Sequence, residues 1–338
     1  MAMTIYDISK KAGVSIATVS RVLNDSENVR PSTRKKVMDV IDKYDYTPNA
    51  FARGMGLHSL KTIGILCADS SDLFLAKAVY FLEQELQANG YESLLCCTGY
   101  NLDIKKNYLN LILSKKVDSI ILVGSHFIGS TEDENQYIKD VSTQVPIMLL
   151  NASFDHPNVY STLCDDYGTM FEATTEMIQA GITDILYLYD SKSYSGKKKL
   201  SGFRDAMKEH NIPGYEKLIH FYDGNIEHLD EIADFVAGIA KKGASFHGIM
   251  TSDDSLAIGS IKYAQKKGIR IPEELSVMGY NNSMLTNCCT PELTSVDNRL
   301  ETLTHQLVQT LLGVLAGEEM PKKSIFSGKI IKRGTTLF

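Results

Sequence analysis

The sequence has 338 residues, 43% hydrophobic and 22% charged, which is enough apolar material for about two or three packed domains and excludes a disordered chain. The net charge of −6 excludes a uniformly basic protein, but residues 1–60 carry nine Lys or Arg against six Asp or Glu, a net +3 that leaves −9 for the remainder. A basic head on an acidic body indicates that only the head binds an anion.

The N-terminus has no apolar segment typical of a signal peptide, and no apolar run approaches the ~18 residues of a membrane span. We therefore expect a cytoplasmic protein without a membrane segment. The six cysteines form no C-x-x-C pair and the eight histidines show no metal-ligand spacing, so we predict reduced thiols, no metal and no cofactor.

Residues 1–46 have the pattern of three short helices. Thr4 and Asp7 form a candidate capping box at the start of the first helix, and Gly13 suits the tight turn that follows it. Ser15 can cap a second helix over residues 16–24, and Pro31 fits the first position of a third.

The second predicted helix has one apolar and one exposed face. The i, i+3, i+4 spacing of its apolar residues turns three side chains toward the core, those of Val19, Val22 and Leu23. The residues on the opposite face are Ile16, Ala17, Ser20 and Arg21. The third helix is predicted to bury Val37, Ile41 and Tyr44. Small residues at the start of an exposed face, followed by an arginine, are typical of a helix that reads the major groove.

Residues 47–61 form a polar, glycine-containing connector, and strand–helix alternation follows from Ile63. The predicted strands are 63–68, 93–97, 119–123, 146–150, 185–189, 218–222, 248–250 and 276–279. The predicted helices are 73–89, 104–114, 167–180, 198–210, 227–242 and 254–267. Two successive sets of this kind predict two doubly wound lobes with parallel sheets, and a ligand cleft between them beyond the carboxyl ends of the strands.

The chain resembles the lactose-repressor (LacI/GalR) family of bacterial transcription regulators in the stretches TIYDISKKAGVSIATVSRVLN, VRPSTRKKV and YTPNAFARGM, and onward to IKRGTTLF. The resemblance implies an α/β protein with a helix-turn-helix headpiece (1–46), a hinge (47–61) and a core (62–338) similar to periplasmic sugar-binding proteins. We expect the first lobe at about 62–159 and 292–321, and the second at about 160–291 and 322–338. The resemblance also implies a homodimer that binds near-palindromic double-stranded operator DNA.

The resemblance assigns base contacts to the second helix. Ile16 and Ala17 occupy the positions that choose base pairs, and the Arg21 guanidinium can bridge O6 and N7 of a guanine, worth roughly 1–3 kcal/mol of discrimination. The other residues expected at the DNA are Thr4, Ser15, Thr18, Ser20, Asn24, Thr33, Asn49 and Met55. The alternatives are an ordinary exposed apolar residue for Ile16 and a surface salt bridge for Arg21.

Three residues depart from the family pattern. Arg30 precedes Pro31 where members often have a serine cap, and Met55 stands where a family leucine wedges into the minor groove. Gly54 weakens a hinge helix by roughly 0.5–1 kcal/mol, so we expect the hinge to fold only on DNA.

The resemblance places effector contacts at strand ends that face the cleft. These residues are Phe74, Asn151, Lys199, Asp253, Asn281 and Asn298. Carboxylates and amides bind hydroxyls and an aromatic ring covers an apolar sugar face, so the implied effector is a small carbohydrate. The alternatives are that Asn281 and Asp253 satisfy loop backbone, that Phe74 is core, and that Lys199 belongs to the solvated run 197–199.

The sequence predicts no catalytic residue. It contains no G-x-S-x-G, and Gly196-Lys197 lacks the other residues of a P-loop. The chain is predicted to be a repressor of a carbohydrate-utilisation operon rather than an enzyme. The alternative is a sugar-binding or sugar-modifying protein without a DNA function, which the basic head disfavours.

Overall fold

The computed structural model describes residues 3–23, 28–46 and 59–338. The N-terminal headpiece consists of α1 (Ile5–Ala12), α2 (Ile16–Leu23) and α3 (Pro31–Lys43). Several residues with a predicted role at the DNA or in the hinge lie outside the described ranges: Asn24, Asn49, Gly54 and Met55.

The headpiece begins with the predicted capping box. The Thr4 hydroxyl accepts from the Asp7 backbone N–H at 3.4 Å, and the Asp7 carboxylate accepts from the Thr4 N–H at 2.9 Å. Gly13 ends α1 in the left-handed region with φ 65°. Arg30 precedes α3 without a side-chain cap hydrogen bond, as expected from the missing serine.

The headpiece core differs from the prediction at one aromatic residue. It comprises the buried side chains of Ile8, Val19, Val22, Val37, Ile41 and Tyr46. The prediction that Tyr44 is buried is wrong, since 38% of it is exposed. Helix α3 ends at Lys43 and the chain turns at Asp45 with φ 47°, which brings Tyr46 under the helix instead.

The core follows from residue 59 as alternating strands and helices. In chain order they are β1 (Thr62–Cys67), α4 (Leu73–Ala88), β2 (Glu92–Cys97), α5 (Leu102–Ser114), β3 (Ser119–Val123), α6 (Glu132–Ser142), β4 (Ile147–Leu150), β5 (Val159–Cys164), α7 (Asp166–Gln179), β6 (Ile185–Tyr189), α8 (Tyr194–Glu209), β7 (Ile219–Phe221), α9 (Leu229–Lys241), β8 (Gly248–Thr251), α10 (Asp254–Lys267), β9 (Ser276–Tyr280), β10 (Thr294–Asp297), α11 (Leu300–Leu315), β11 (Lys323–Phe326) and β12 (Lys329–Ile331).

These strands form two six-stranded sheets of matching topology. The first has the order β11-β5-β4-β3-β1-β2 and the second β12-β10-β9-β8-β6-β7. All pairings are parallel except that of β10 with β12. In β3, Ile121 packs on one face of the first sheet and Ile120 packs on the other. Because helices cover both faces of the sheet, both sets of side chains are buried, and the strand is therefore a continuous apolar run.

The predicted lobe boundaries need correction at three strands. Strand β5 belongs to the first sheet because it pairs with β4, and β11 joins that sheet by pairing with β5. Strand β10 belongs to the second sheet because it pairs with β9. The chain therefore crosses between lobes after β5, after β10 and after β11, each crossing lying a few residues from its predicted position. None of the helices in the described ranges has the length and hydropathy needed to cross a bilayer.

Candidate DNA-reading surface and effector cleft

Helix α2 is anchored by its apolar face and presents the opposite face to solvent. Val19 and Val22 are 0% and 4% exposed in the headpiece core. On the other side Ile16 is 40% exposed, and Ala17 and Arg21 are exposed as well. The free face of α2 thus carries an apolar side chain, a small side chain and a guanidinium, the set that the sequence assigns to base reading.

Four of the predicted phosphate contacts, Thr4, Ser15, Thr18 and Thr33, lie at helix starts, whereas Ser20 lies half-buried further along α2. The Ser15 hydroxyl accepts from the Thr18 backbone N–H at 3.2 Å, and the two hydroxyls lie 2.9 Å apart. Thr4 precedes α1, and Thr33 lies half-buried in the first turn of α3. Partial positive charge at helix N-termini favours phosphate at such positions.

One exposed headpiece side chain was not selected from the sequence. Tyr6 on α1 is 69% exposed. Its ring lies outside the apolar spacing of Ile5, Ile8 and Ala12, and that mismatch is the signal that could have identified it as a candidate DNA contact.

A cleft separates the two lobes and consists of two adjoining chambers. The outer chamber has a volume of about 590 Å³ and the inner about 90 Å³. Six residues line both chambers: Asp72 and His126 of the first lobe, and Asp190, Ser191, Ile226 and Asp253 of the second. Each follows the carboxyl end of a strand, so the cleft lies where the strand-end rule places a ligand.

Five of the six predicted effector residues line the inner chamber: Phe74, Asn151, Lys199, Asp253 and Asn281. Asn298 does not line either chamber of the cleft; it is 3% exposed and borders a separate cavity of about 670 Å³. Its Nδ2 donates to Asn281 Oδ1 at 3.0 Å, and Asn281 Nδ2 donates to Asp253 Oδ2 at 2.9 Å. The prediction for Asn298 is thus corrected to an indirect position, two hydrogen bonds behind Asp253.

Lys199 forms part of the inner wall and does not belong to a solvated run. It is 7% exposed, its Nζ donates to the Ser252 carbonyl at 3.0 Å, and it lies 3.7 Å from the centre of the Tyr280 ring. The Tyr280 hydroxyl donates to Asp166 at 2.7 Å. A buried polar network therefore holds the Lys199 ammonium in place.

Asn151 brings a polar acceptor to the inner chamber. It follows β4, has φ 60° and is 8% exposed. Its Oδ1 is buried and has no hydrogen-bond partner within the described part of the chain. A buried acceptor without a partner costs free energy, so this position favours a ligand that donates a hydrogen bond.

The cleft also contains residues that were not selected from the sequence. Asp72, His126 and Asp190 follow strands that the apolar pattern located, so the same strand-end rule could have identified them. Tyr100 follows β2, is 54% exposed and packs edge-on against His126 with ring centres 4.8 Å apart. It offers the outer chamber an aromatic face that the sequence reasoning missed.

Polar contacts join the lobes at one side of the cleft. Ser125 Oγ donates to Ser193 Oγ at 2.8 Å, and Ser191 Oγ lies 3.4 Å from His126 Nε2. Each such bond exchanges for water when the lobes separate, so its net contribution is about 0.5–1.5 kcal/mol. On this side the lobes are therefore joined by contacts of small net free energy.

Two adjacent carboxylates of the second lobe are hard to ionise. Burial, followed by the charges of Asp190 and Asp254, raises the pKa of Asp253 to about 7. Burial raises the pKa of Asp254 to about 6, against the opposing effect of hydrogen bonds from Ser295 and Ser283. Both groups therefore gain protons far above the pH at which an exposed aspartate does.

This shift predicts a pH dependence of stability. Because the folded pKa of Asp253 lies above the unfolded value of 3.8, the folded state binds more protons between about pH 4 and 7 and loses stability as the pH rises. Asp253→Asn should remove this loss and stabilise the ligand-free protein at pH 8 by about 1–2 kcal/mol relative to wild type. Urea unfolding at pH 5 and pH 8 measures the difference, with the exposed carboxylate variant Asp155→Asn as control. Equal pH profiles for wild type and Asp253→Asn would contradict the assignment.

Comparison with known proteins gives matches for both parts of the chain. The profile described as bacterial regulatory proteins, lacI family, matches residues 4–49, and that of the periplasmic binding protein-like domain matches residues 174–336. A protein of Lachnoclostridium phytofermentans described as an HTH-type transcriptional regulator is 50% identical over 336 residues, 99% of this chain and 100% of that protein.

Solved structures match the fold over the whole length. The lac repressor dimer bound to operator and the anti-inducer ONPF has a TM-score of 0.88 at 21% identity, covering 100% of both chains. The transcriptional regulator CelR–cellobiose complex has a TM-score of 0.71 at 21% identity, covering 98% of this chain and 99% of that one. The sequence relatives are described as transcriptional regulators, which supports the prediction of a DNA-binding regulator over that of a sugar-binding protein without a DNA function. The chain belongs to the LacI family of bacterial regulatory proteins and is a DNA-binding transcriptional regulator.

Proposed function

We propose that this regulator is a cytoplasmic repressor that binds operator DNA as a homodimer and is controlled by a small carbohydrate bound between its lobes. The observation that carries the proposal is the cleft, in which carboxylates from strand ends of both lobes line an outer chamber of about 590 Å³ and the amides of Asn151 and Asn281 line the adjoining inner chamber. That volume lies within the roughly 300–1,000 Å³ of small-molecule sites. A carbohydrate in the CelR complex and an operator in the lac repressor dimer support the two halves of the proposal.

The DNA half rests on α2. A homodimer presents two copies of the face that carries Ile16, Ala17 and Arg21, so it reads two half-sites related by its own two-fold symmetry. The basic headpiece supplies the attraction to phosphate, while the acidic core does not.

The switch rests on differential affinity. A ligand that contacts Asp72 of the first lobe and Asp253 of the second stabilises the closed arrangement relative to an open one. Closure then changes the separation of the two headpieces in the dimer. Reciprocity requires operator DNA to change the affinity for the ligand by the same factor.

The proposal is tested in two steps on the full-length protein. A thermal-shift screen against neutral, amino and phosphorylated sugars should identify a ligand that raises the melting temperature. Operator sequences selected from random DNA should then lose or gain affinity in a gel shift when that sugar is added. If the protein selects DNA but responds to no sugar in either assay, the proposed carbohydrate effector is wrong and the proposed operator binding stands.

A second prediction concerns salt. Residues 1–60 carry a net +3, doubled in a dimer, so operator affinity should fall steeply between about 50 and 200 mM salt as phosphate contacts release counterions. A fragment of residues 59–338, which carries the acidic remainder, should not bind. Chromatography on immobilised DNA measures both, with circular dichroism to verify that the fragment is folded. Retention of the fragment would contradict the location of the binding surface.

A further inference from the structure

The three carboxylates that line both chambers of the cleft lack a cationic partner. Asp72 accepts from the Leu75 N–H at 2.8 Å, Asp190 from the Ser252 hydroxyl at 2.8 Å, and Asp253 from the Ser255 N–H at 2.7 Å. All of these donors are neutral. Among the described residues, no ion pair with Lys, Arg or His includes any of the three carboxylates.

The three carboxylates interact with one another across the cleft. Burial is the main cause of the raised pKa of Asp72, and the charge of Asp190 in the opposite lobe adds to it. The pKa of Asp253 rises to about 7 through burial, with contributions from Asp190 and Asp72. Because Asp72 belongs to the first lobe and the others to the second, closure gathers like charges that a bound cation would neutralise.

Other charged groups around the chambers do not supply that cation. The Lys199 ammonium already donates to the Ser252 carbonyl. Its positive charge favours the ionised form of the buried carboxylates Asp166 and Asp254, and so opposes the rise in their pKa that burial causes. His126 has a lowered pKa because of burial and the charge of Lys105. The space between the lobes is therefore acidic, with hydrogen-bond acceptors on both sides.

A neutral acceptor points to the same kind of ligand independently. Asn151, which is 8% exposed, lines the inner chamber together with all three carboxylates, and its Oδ1 has no partner in the described ranges. This oxygen needs a donor just as the carboxylates do. One donor-rich group that enters the inner chamber would satisfy both requirements.

We propose that the effector is a sugar carrying a protonated amine, whose ammonium group lies between Asp72, Asp190 and Asp253 with Asn151 Oδ1 as a further acceptor. The inference rests on the proposed function, since it specifies the class of carbohydrate in the same cleft. A sugar phosphate is disfavoured by repulsion, and within the described residues no three His, Cys, Asp or Glu side chains are placed so that they could hold a metal ion. Charge-assisted hydrogen bonds are roughly twice as strong as neutral ones, which gives the amine its advantage over a hydroxyl.

The outer chamber suits the remainder of such a sugar. Tyr100 and Ile226 provide apolar surface beside the carboxylates, and the volume of about 590 Å³ leaves room for one or two sugar rings. The aromatic face would cover the apolar side of a ring while the amine enters the inner chamber.

The test compares matched sugars by isothermal titration calorimetry on the full-length protein at pH 6.5. The amine probes are 2-amino-, 3-amino- and 6-amino-deoxyglucose and the β-1,4-linked glucosamine disaccharide. Their neutral counterparts are glucose, the N-acetylated disaccharide and cellobiose. We expect at least one amine to bind tenfold or more tightly than its neutral counterpart, and this preference to weaken with added salt.

A charge-removing variant identifies the residues responsible. Asp190→Asn keeps an acceptor for Ser252 and should reduce amine affinity at least tenfold more than it reduces neutral-sugar affinity. The exposed variant Asp155→Asn serves as the charge-matched control, and circular dichroism verifies folding. A neutral counterpart that binds as tightly as its amine would overturn the inference and leave a carbohydrate effector standing. No binding by any sugar would overturn both.

Discussion

Arg21→Ala is expected to remove operator preference while the core stays folded and competent for its ligand. Arg21 is exposed on the face of α2 opposite Val19 and Val22, so its truncation does not disturb the headpiece core. The bidentate contact to a guanine is worth roughly 1–3 kcal/mol per half-site, and a dimer that reads two half-sites loses about twice that. Operator affinity should therefore fall by at least about thirtyfold.

The measurement uses operator DNA selected from random sequence with the wild-type protein, and a scrambled duplex of equal length. Fluorescence anisotropy should show a large loss on the operator and a small loss on the scrambled duplex. Lys43→Ala removes the same charge from the exposed end of α3 and should weaken both duplexes slightly and equally. Unchanged operator affinity for Arg21→Ala would show that α2 does not read the bases as we assign.

Asp253→Ala should produce a regulator that binds DNA but does not respond to its effector. Asp253 lines both chambers, and the chain of amides from Asn298 through Asn281 ends on its carboxylate. Hydrogen bonds to a charged group contribute about 1.5–3 kcal/mol each, so loss of this acceptor should weaken ligand binding ten- to a hundredfold or more. Operator affinity without ligand should stay within threefold of wild type, because the headpiece is unchanged.

The loss of a helix cap must be separated from the loss of a ligand contact. Asp253 also caps α10 through the Ser255 N–H, and removal of such a cap costs about 0.5–2 kcal/mol of stability. Thr131→Ala removes the cap of α6, which lies outside the residues that line the cleft, and is the matched control. Calorimetry with the sugar identified in the thermal-shift screen should show loss of binding in Asp253→Ala and normal binding in Thr131→Ala. Normal binding by both variants would show that the cleft assignment is mistaken.

Local chemistry made the headpiece readable from the sequence. The capping box of Thr4 and Asp7, the turn at Gly13 and the start of α3 at Pro31 each depend on contacts within a few residues, so residue type decides them. The prediction that Tyr44 is buried failed because burial beyond a helix end depends on the direction of the chain after Asp45. Periodicity cannot supply that direction.

The central strands of the two sheets could also be predicted from the sequence, whereas the edge strands could not. Buried parallel strands such as β3 and β6 are continuous apolar runs, so the pattern located both to the residue. In strand β11 exposed positions alternate with half-buried ones, and the strand begins with a lysine. Such an edge strand carries little signal, and its pairing with β5 is a contact between segments far apart in the chain.

For the cleft as well, the sequence predicted which residue types follow the strands but not how those residues are arranged in space. The sequence indicated that Asn151, Asp253 and Asn281 follow strands, because strand ends are local features, and the fold brings these residues to one chamber. It could not indicate that Asn298 donates a hydrogen bond to Asn281, nor that Asp72 and Asp190 line the same chambers from opposite lobes. Those relations depend on how three chain crossings set one sheet against the other, and no short stretch of sequence encodes a distance between lobes.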